Sequence, residues 1–245
     1  MSSATDASPP ARAHILGILG GMGPLATADF FAKLVALTPA ADDAAHVPVL
    51  VASLPQIPPR VPAILGTGTS PLPALLSVRD RLVAAGATTI AMPCNTAHHW
   101  YDDLARGGPP MLHIGDAAID ALRRAVAAPA RVGLVATAGT LASGFYQRRL
   151  AAAGYACLVP TPADLEHDVA PAIAAVKAGR LHVGGEAFVR AARALYARGA
   201  AAVILACTEV PPAIAAVGAP ADVVCIDATE ALAAACVARW REGRL

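Results

Sequence analysis

Cys94 and Cys207 are the residues of this chain whose neighbours best equip them for chemistry. Each follows an apolar, strand-like run and is followed at once by polar side chains: 87–98 reads ATTIAMPCNTAH and 200–211 reads AAAVILACTEVP. Laid over each other at an offset of 113 residues, Gly86 falls on Gly199, Ile90 on Val203, Met92 on Leu205 and Cys94 on Cys207. The chain therefore delivers one thiol to the carboxyl end of a strand twice. Two thiols that reach one ligand from opposite sides suit a specific task, taking a proton from one face of a stereocentre and returning one to the other. A thiol ionises near pH 8.5 (about), and backbone amides at a helix N-terminus lower that value. One cysteine would serve as thiolate base and the other as thiol acid, with the roles exchanged in the reverse direction.

The flanking residues supply binding groups. Asn95, Thr96 and Thr208, with neighbouring backbone N–H groups, could cradle a carboxylate, and Glu209 would suit an ammonium group; all four also read as turn and helix-cap residues. The GGMG turn, with Met22 and Gly23, and the TAGT turn, with Thr140, would line the same cleft. Arg60 and Lys177 are lone cations in otherwise uncharged stretches, the usual pattern of solvated surface groups, but the Pro-rich loop around Arg60 follows a strand and could swing over the cleft. His98 and His99 read as structural caps of the helix after Cys94. Cys157, Cys225 and Cys236 sit in apolar runs and read as small hydrophobes.

The elements that must position these groups alternate between strand and helix. Strands are expected over 14–19, 47–54, the run into Cys94, 111–114, 131–136, 156–159, the run into Cys207 and 223–226. Helices are expected from the GGMG turn to Leu37 and over 73–85, 116–127, 169–178, 186–198 and 228–241. A second internal match, at an offset of 116, sets Gly17 on Gly133, Gly23 on Gly139, Leu25 on Leu141, Ala26 on Ala142 and Phe30 on Tyr146. Alternating elements imply parallel sheets with right-handed crossovers. The two matches imply two similar α/β halves related by a pseudo-twofold, with the ligand beyond the carboxyl ends of the strands.

Composition narrows the function. The 245 residues are 56% hydrophobic, 15% charged and carry a net charge of +1, which speaks against a nucleic-acid partner. No apolar run approaches the roughly 20 residues of a membrane span. Residues 1–13 read as a disordered lead-in without the apolar core of a signal peptide. Five cysteines without close spacing imply neither a disulfide framework nor a metal site, and point to the reducing cytoplasm. GMGPLA fits the loose dinucleotide-binding pattern, but no acidic residue ends the second strand and the matching turn TAGTLA is no such fingerprint.

Taken together, ILGILGGMGPLATADFF, HVPVLVASLPQIPPR, AMPCNTAHH, VATAGTLASGFY, VKAG and ACTEVP resemble the aspartate/glutamate racemase family of cofactor-independent amino-acid racemases. The resemblance runs from His14 to the C-terminus. It implies two Rossmann-like domains with the site between them, no cofactor, a homodimer, and Cys94 and Cys207 as the two proton donors and acceptors. It places Met22, Asn95 and Thr96 near the substrate's main carboxylate with Thr208 and Glu209 opposite, and makes Arg60 and Lys177 the selectors of an acidic side chain. Residues 14–116 with 222–245 would form the first domain and 117–221 the second, the last strand and helix returning to the first. Ala206 stands where many members carry Gly, and Ala138 where many carry Arg. The activity implied is interconversion of L- and D-aspartate, or glutamate. The competing readings are a related isomerase or lyase (maleate isomerase, hydantoin racemase, arylmalonate decarboxylase), a broad-specificity racemase, a non-catalytic binder of a small acid and, last, a nucleotide-dependent dehydrogenase.

Overall fold

A computed structural model describes residues 14–245, so the lead-in expected over 1–13 lies outside the described residues. The described residues form eight strands, β1 (Leu16–Gly20), β2 (Val49–Ser53), β3 (Thr89–Ala91), β4 (Met111–Leu112), β5 (Ala130–Ala136), β6 (Tyr155–Leu158), β7 (Ala202–Ala206) and β8 (Cys225–Asp227). Among them run twelve α-helical segments: α1 (Pro24–Leu37), α2 (Arg60–Ile64), α3 (Leu72–Ala84), α4 (Tyr101–Ala105), α5 (Ile114–Ala125), α6 (Ala138–Ser143), α7 (Phe145–Ala152), α8 (Pro162–Asp164), α9 (Ala170–Lys177), α10 (Leu181–Ala197), α11 (Val210–Val217) and α12 (Ala228–Arg241).

All strand pairings are parallel, in two four-stranded sheets ordered β2-β1-β3-β4 and β6-β5-β7-β8. The order is the same in each half, as the internal match requires. The match also explains its own glycines. Gly17 lies beside Ile90 in the β1–β3 ladder, and a Cβ there would come within 2.7 Å of the Ile90 side chain. Its counterpart Gly133 lies beside Val203 in the β5–β7 ladder, and a Cβ there would meet Leu195 at 3.0 Å and Val203 at 3.2 Å. Each central strand therefore gives up a side chain at the same place, where a neighbour fills the space.

The strand β1 is buried along its whole length, as expected of a parallel strand covered on both faces. One apolar core runs from Leu16, Ile18 and Phe30 of the first half through Leu134, Tyr146 and Ile204 of the second to Leu232 and Cys236 of α12. Two smaller cores, one in each half, complete the packing. The helix α12 packs on α1 and α5, and the Lys33 ammonium of α1 bonds to Asp227, the N-cap of α12, at 2.7 Å.

Three expectations change. The last strand does not return to the first half: β8 pairs with β7, because Val203, Ile204 and Leu205 offer a free ladder edge there. The Pro-rich segment is not all loop, since Pro59 and Pro62 fall at the N-cap and first turn of α2, where a missing N–H is harmless. Helix α10 begins five residues before Glu186 and runs through Gly184 and Gly185. Those glycines are packing sites: a Cβ on Gly185 would stand 2.2 Å from the Ala213 carbonyl oxygen of α11. The Gly185→Ala variant is expected to lose about 1–3 kcal/mol of stability through overpacking, read as a lowered urea midpoint at unchanged m-value.

Candidate active site

The strand β3 ends at Ala91 and β7 at Ala206, so both cysteines leave a carboxyl end, in the crevice where open parallel sheets bind ligands. After Cys94 the chain winds into a short 3-10 turn (Thr96–Trp100); after Cys207 it enters α11, opened by Pro211 and Pro212. Both thiols are buried, and both line one cavity of about 190 Å³. Met22, Arg60, Asn95, Thr96, Lys177, Thr208 and Glu209 line it too, joined by Thr137 and the α2 segment from Pro59 to Pro62. Such a volume falls below the about 300–1,000 Å³ of drug-sized ligand pockets and suits a small molecule.

The surroundings of the two thiols differ. Burial pushes the Cys94 thiol above its ordinary value, opposed by the Arg60 guanidinium and by the Ala97 N–H. Burial also pushes Cys207 up, and further, because the Glu209 carboxylate adds its charge and accepts the S–H at 3.1 Å. Without a ligand both sulfurs hold their protons, Cys207 the more firmly. Glu209 is buried. Its Oε2 also accepts from the Thr208 hydroxyl at 3.4 Å, while its Oε1 has no hydrogen-bond partner and lies 3.8 Å from the Lys177 ammonium. Lys177, at the end of α9, is half exposed.

Arg60 is held rather than free. It donates from Nη1 to the Ile57 and Pro58 carbonyls, both at 3.0 Å, and from Nη2 to the Met22 carbonyl at 3.4 Å. The guanidinium thereby ties α2 to the turn after β1 and stands at the cavity wall. Asn95 is oriented from the other half of the chain. Fully buried Tyr146 donates its hydroxyl to Asn95 Oδ1 at 2.7 Å, which leaves the Nδ2 of this cavity-lining residue buried and unpartnered. An acceptor such as a carboxylate oxygen would satisfy it. Removing the hydroxyl in Tyr146→Phe is expected to cost about 1 kcal/mol of stability. With the Asn95 amide no longer fixed, KM should rise about tenfold with little change in kcat, by the same hydrogen-bond arithmetic.

Two expected groups stand off the thiol cavity. Thr140 is fully buried one layer back, hydrogen-bonded to Thr96 and Thr137 at 3.0 Å each, because the first turn of α6 turns it towards its own N-cap. Thr137, that N-cap, reaches the cavity in its place. Gly23 lines an adjoining cavity of about 450 Å³ that shares Met22, Arg60, Lys177 and Glu209 with the first. Thr137, Tyr146 and the α2 segment carry no sequence signal of their own except that Tyr146 matches Phe30 with a hydroxyl added. Among the described residues, no group of three or more His, Cys, Asp or Glu side chains converges as a metal site would, and no helix is long and apolar enough to cross a membrane.

Residues 19–236 match the Asp/Glu/Hydantoin racemase family. The chain belongs to that family. Among family relatives it is similar to the broad specificity amino-acid racemase RacX of Bacillus subtilis, 30% identical over 142 residues that make up 56% of this chain and 60% of that protein. It is also similar to a glutamate racemase of Corynebacterium kroppenstedtii, 44% identical over 79 residues, 31% of this chain and 26% of the relative. The matched stretches thus span less than two thirds of the length of either curated relative. The solved structure of Picrophilus torridus aspartate racemase superposes with a TM-score of 0.80 at 30% identity, covering 95% of this chain and 100% of that one. The likeness to that structure accounts for the two-sheet architecture of the chain.

Proposed function

We propose that the protein racemises an acidic amino acid, aspartate or glutamate, by proton transfer at Cα between Cys94 and Cys207 without pyridoxal phosphate. The observation that carries this reading is the enclosure of both thiols, one from each half of the chain, in a single small cavity with Arg60 and Lys177 in its wall. In one direction the Cys94 thiolate, favoured by Arg60 and the Ala97 N–H, removes the Cα proton. Cys207, holding its proton against Glu209, returns one from the other side. Asn95 Nδ2, Thr96 and Thr208 bind the main carboxylate, Glu209 Oε1 receives the ammonium, and Arg60 with Lys177 engages the side-chain carboxylate. Likeness to the P. torridus aspartate racemase over all of that chain supports aspartate. Likeness to RacX favours, as a second reading, tolerance of other amino acids.

Incubation with L-aspartate or L-glutamate in D2O, without added pyridoxal phosphate, tests the proposal. Deuterium at Cα together with the D-isomer is the expected result; binding without exchange would leave a non-catalytic site. The pH profile adds a check. Since kcat/KM reports the free enzyme, and a thiolate must form from thiols that burial raises above their ordinary value, the rate should keep climbing past pH 9. A plateau below pH 8 would contradict a raised thiol as the base.

A further inference from the structure

Behind Cys94, on the side away from the cavity, stands His98. It is buried, and both of its ring nitrogens are committed. Nε2 accepts the Ile114 N–H at 3.1 Å, one of the first-turn donors that a helix cannot satisfy internally. A nitrogen that accepts carries no proton, so the neutral ring bears its hydrogen on Nδ1 and donates it to the Cys94 carbonyl at 2.9 Å. Burial lowers the imidazole to about 4 and keeps it neutral at working pH. His113 packs edge-on at 4.7 Å, Tyr101 stacks at 5.9 Å, and Phe145 lies tilted at 6.2 Å. The ring does not line the thiol cavity, so it is not an acid or base of the reaction.

We propose that His98 is a positioning residue for Cys94: its Nδ1–H clamps the Cys94 carbonyl and closes the 94–98 turn. The turn in question also brings the Ala97 N–H to the Cys94 sulfur. The Cys94 carbonyl is therefore held by the side chain four residues on, and the end of β3, the turn and the start of α5 are linked through one ring. Loosening the carbonyl would let the sulfur drift from the Ala97 N–H and from the face of the substrate. The inference rests on the proposed use of Cys94 as an acid and base, but its geometry can be tested without turnover.

Two substitutions separate the two nitrogens. In His98→Asn the amide nitrogen lies near the place of Nδ1 and can still donate to the Cys94 carbonyl, while the Ile114 partner is lost. In His98→Gln the amide reaches the place of Nε2 and can accept from Ile114, while the Cys94 clamp is lost. Three readouts apply: the alkylation rate of Cys94 by iodoacetamide, followed peptide by peptide in the mass spectrometer, the melting temperature, and kcat and KM. His98→Gln should alkylate Cys94 at least about tenfold more slowly and lose kcat to match at unchanged KM, since small misplacements at a reacting atom have effects of this size. His98→Asn should stay within about threefold of the parent in both, even where it melts earlier, because it keeps the contact to the reacting residue. Alkylation rates that simply follow the melting temperature, or that are equal in the two variants, would overturn the assignment whether or not the parent racemises aspartate. A nitrogen NMR spectrum of the unmodified protein adds an arm independent of any variant. The proton on Nδ1 of His98 is expected, and a proton on Nε2 would refute the clamp.

Discussion

Cys94→Ser and Cys207→Ser are each expected to abolish racemisation, with kcat falling by about 10²–10⁴-fold or more, the range of a lost general acid or base. The serine hydroxyl fills the same space, so neither variant should lose its fold, and circular dichroism should superpose on that of the parent. The double variant should be no slower than either single one, because the two thiols act as a unit and removing one already disables the pair. The asymmetry around the sulfurs adds a further expectation. Each single variant can still exchange the Cα proton of the enantiomer facing its remaining cysteine, so exchange without inversion should survive on opposite enantiomers in the two variants. Turnover at the parent rate in either variant, measured by chiral chromatography, would remove the two-thiol mechanism.

Arg60→Ala should reduce kcat/KM for aspartate about 10–100-fold, as expected from losing a hydrogen bond to a charged group. The effect on a neutral amino acid of similar size should be much smaller, so the preference for acidic substrates would collapse. Arg60→Lys should not restore it. A lysine keeps the charge but lacks the fork that reaches the Ile57, Pro58 and Met22 carbonyls together, and α2 would lose its tie to the turn after β1. Because the guanidinium is the leading influence opposing the burial of Cys94, its removal should also move the alkaline rise of kcat/KM to higher pH. Competition between aspartate and a neutral amino acid in one vessel measures the preference directly; an unchanged ratio would take Arg60 out of the side-chain pocket.

What could be read without coordinates was whatever repeats or periodicity made redundant. The 113-residue offset between the cysteines and the 116-residue offset between the turns named the strand ends, and the Gly17–Ile90 and Gly133–Val203 contacts show why those positions match. Cys94, Cys207, Met22, Arg60, Asn95, Thr96, Lys177, Thr208 and Glu209 do come together at one cavity. The residues that escaped are those whose role is a contact between distant segments. Nothing local marks Tyr146 as the partner of Asn95, 51 positions away, or tells Thr137 from Thr140 within one turn of α6. The helix expected over 186–198 leaves out Gly184 and Gly185, poor helix formers whose place inside α10 is explained by the approach of α11. The edge offered by β7, invisible in sequence, outweighed the expectation that β8 goes home to the first half.

The apolar core that runs without a break from β1 through β5 and β7 to α12 bears on how the molecule comes apart. Two halves that bury their inner faces in common cannot lose one without exposing the other, and α12, leaving the second sheet to rest on α1, ties the ends of the chain across that seam. The duplicated design is thus expected to unfold in one cooperative step, each half relying on the other to cover its inner face.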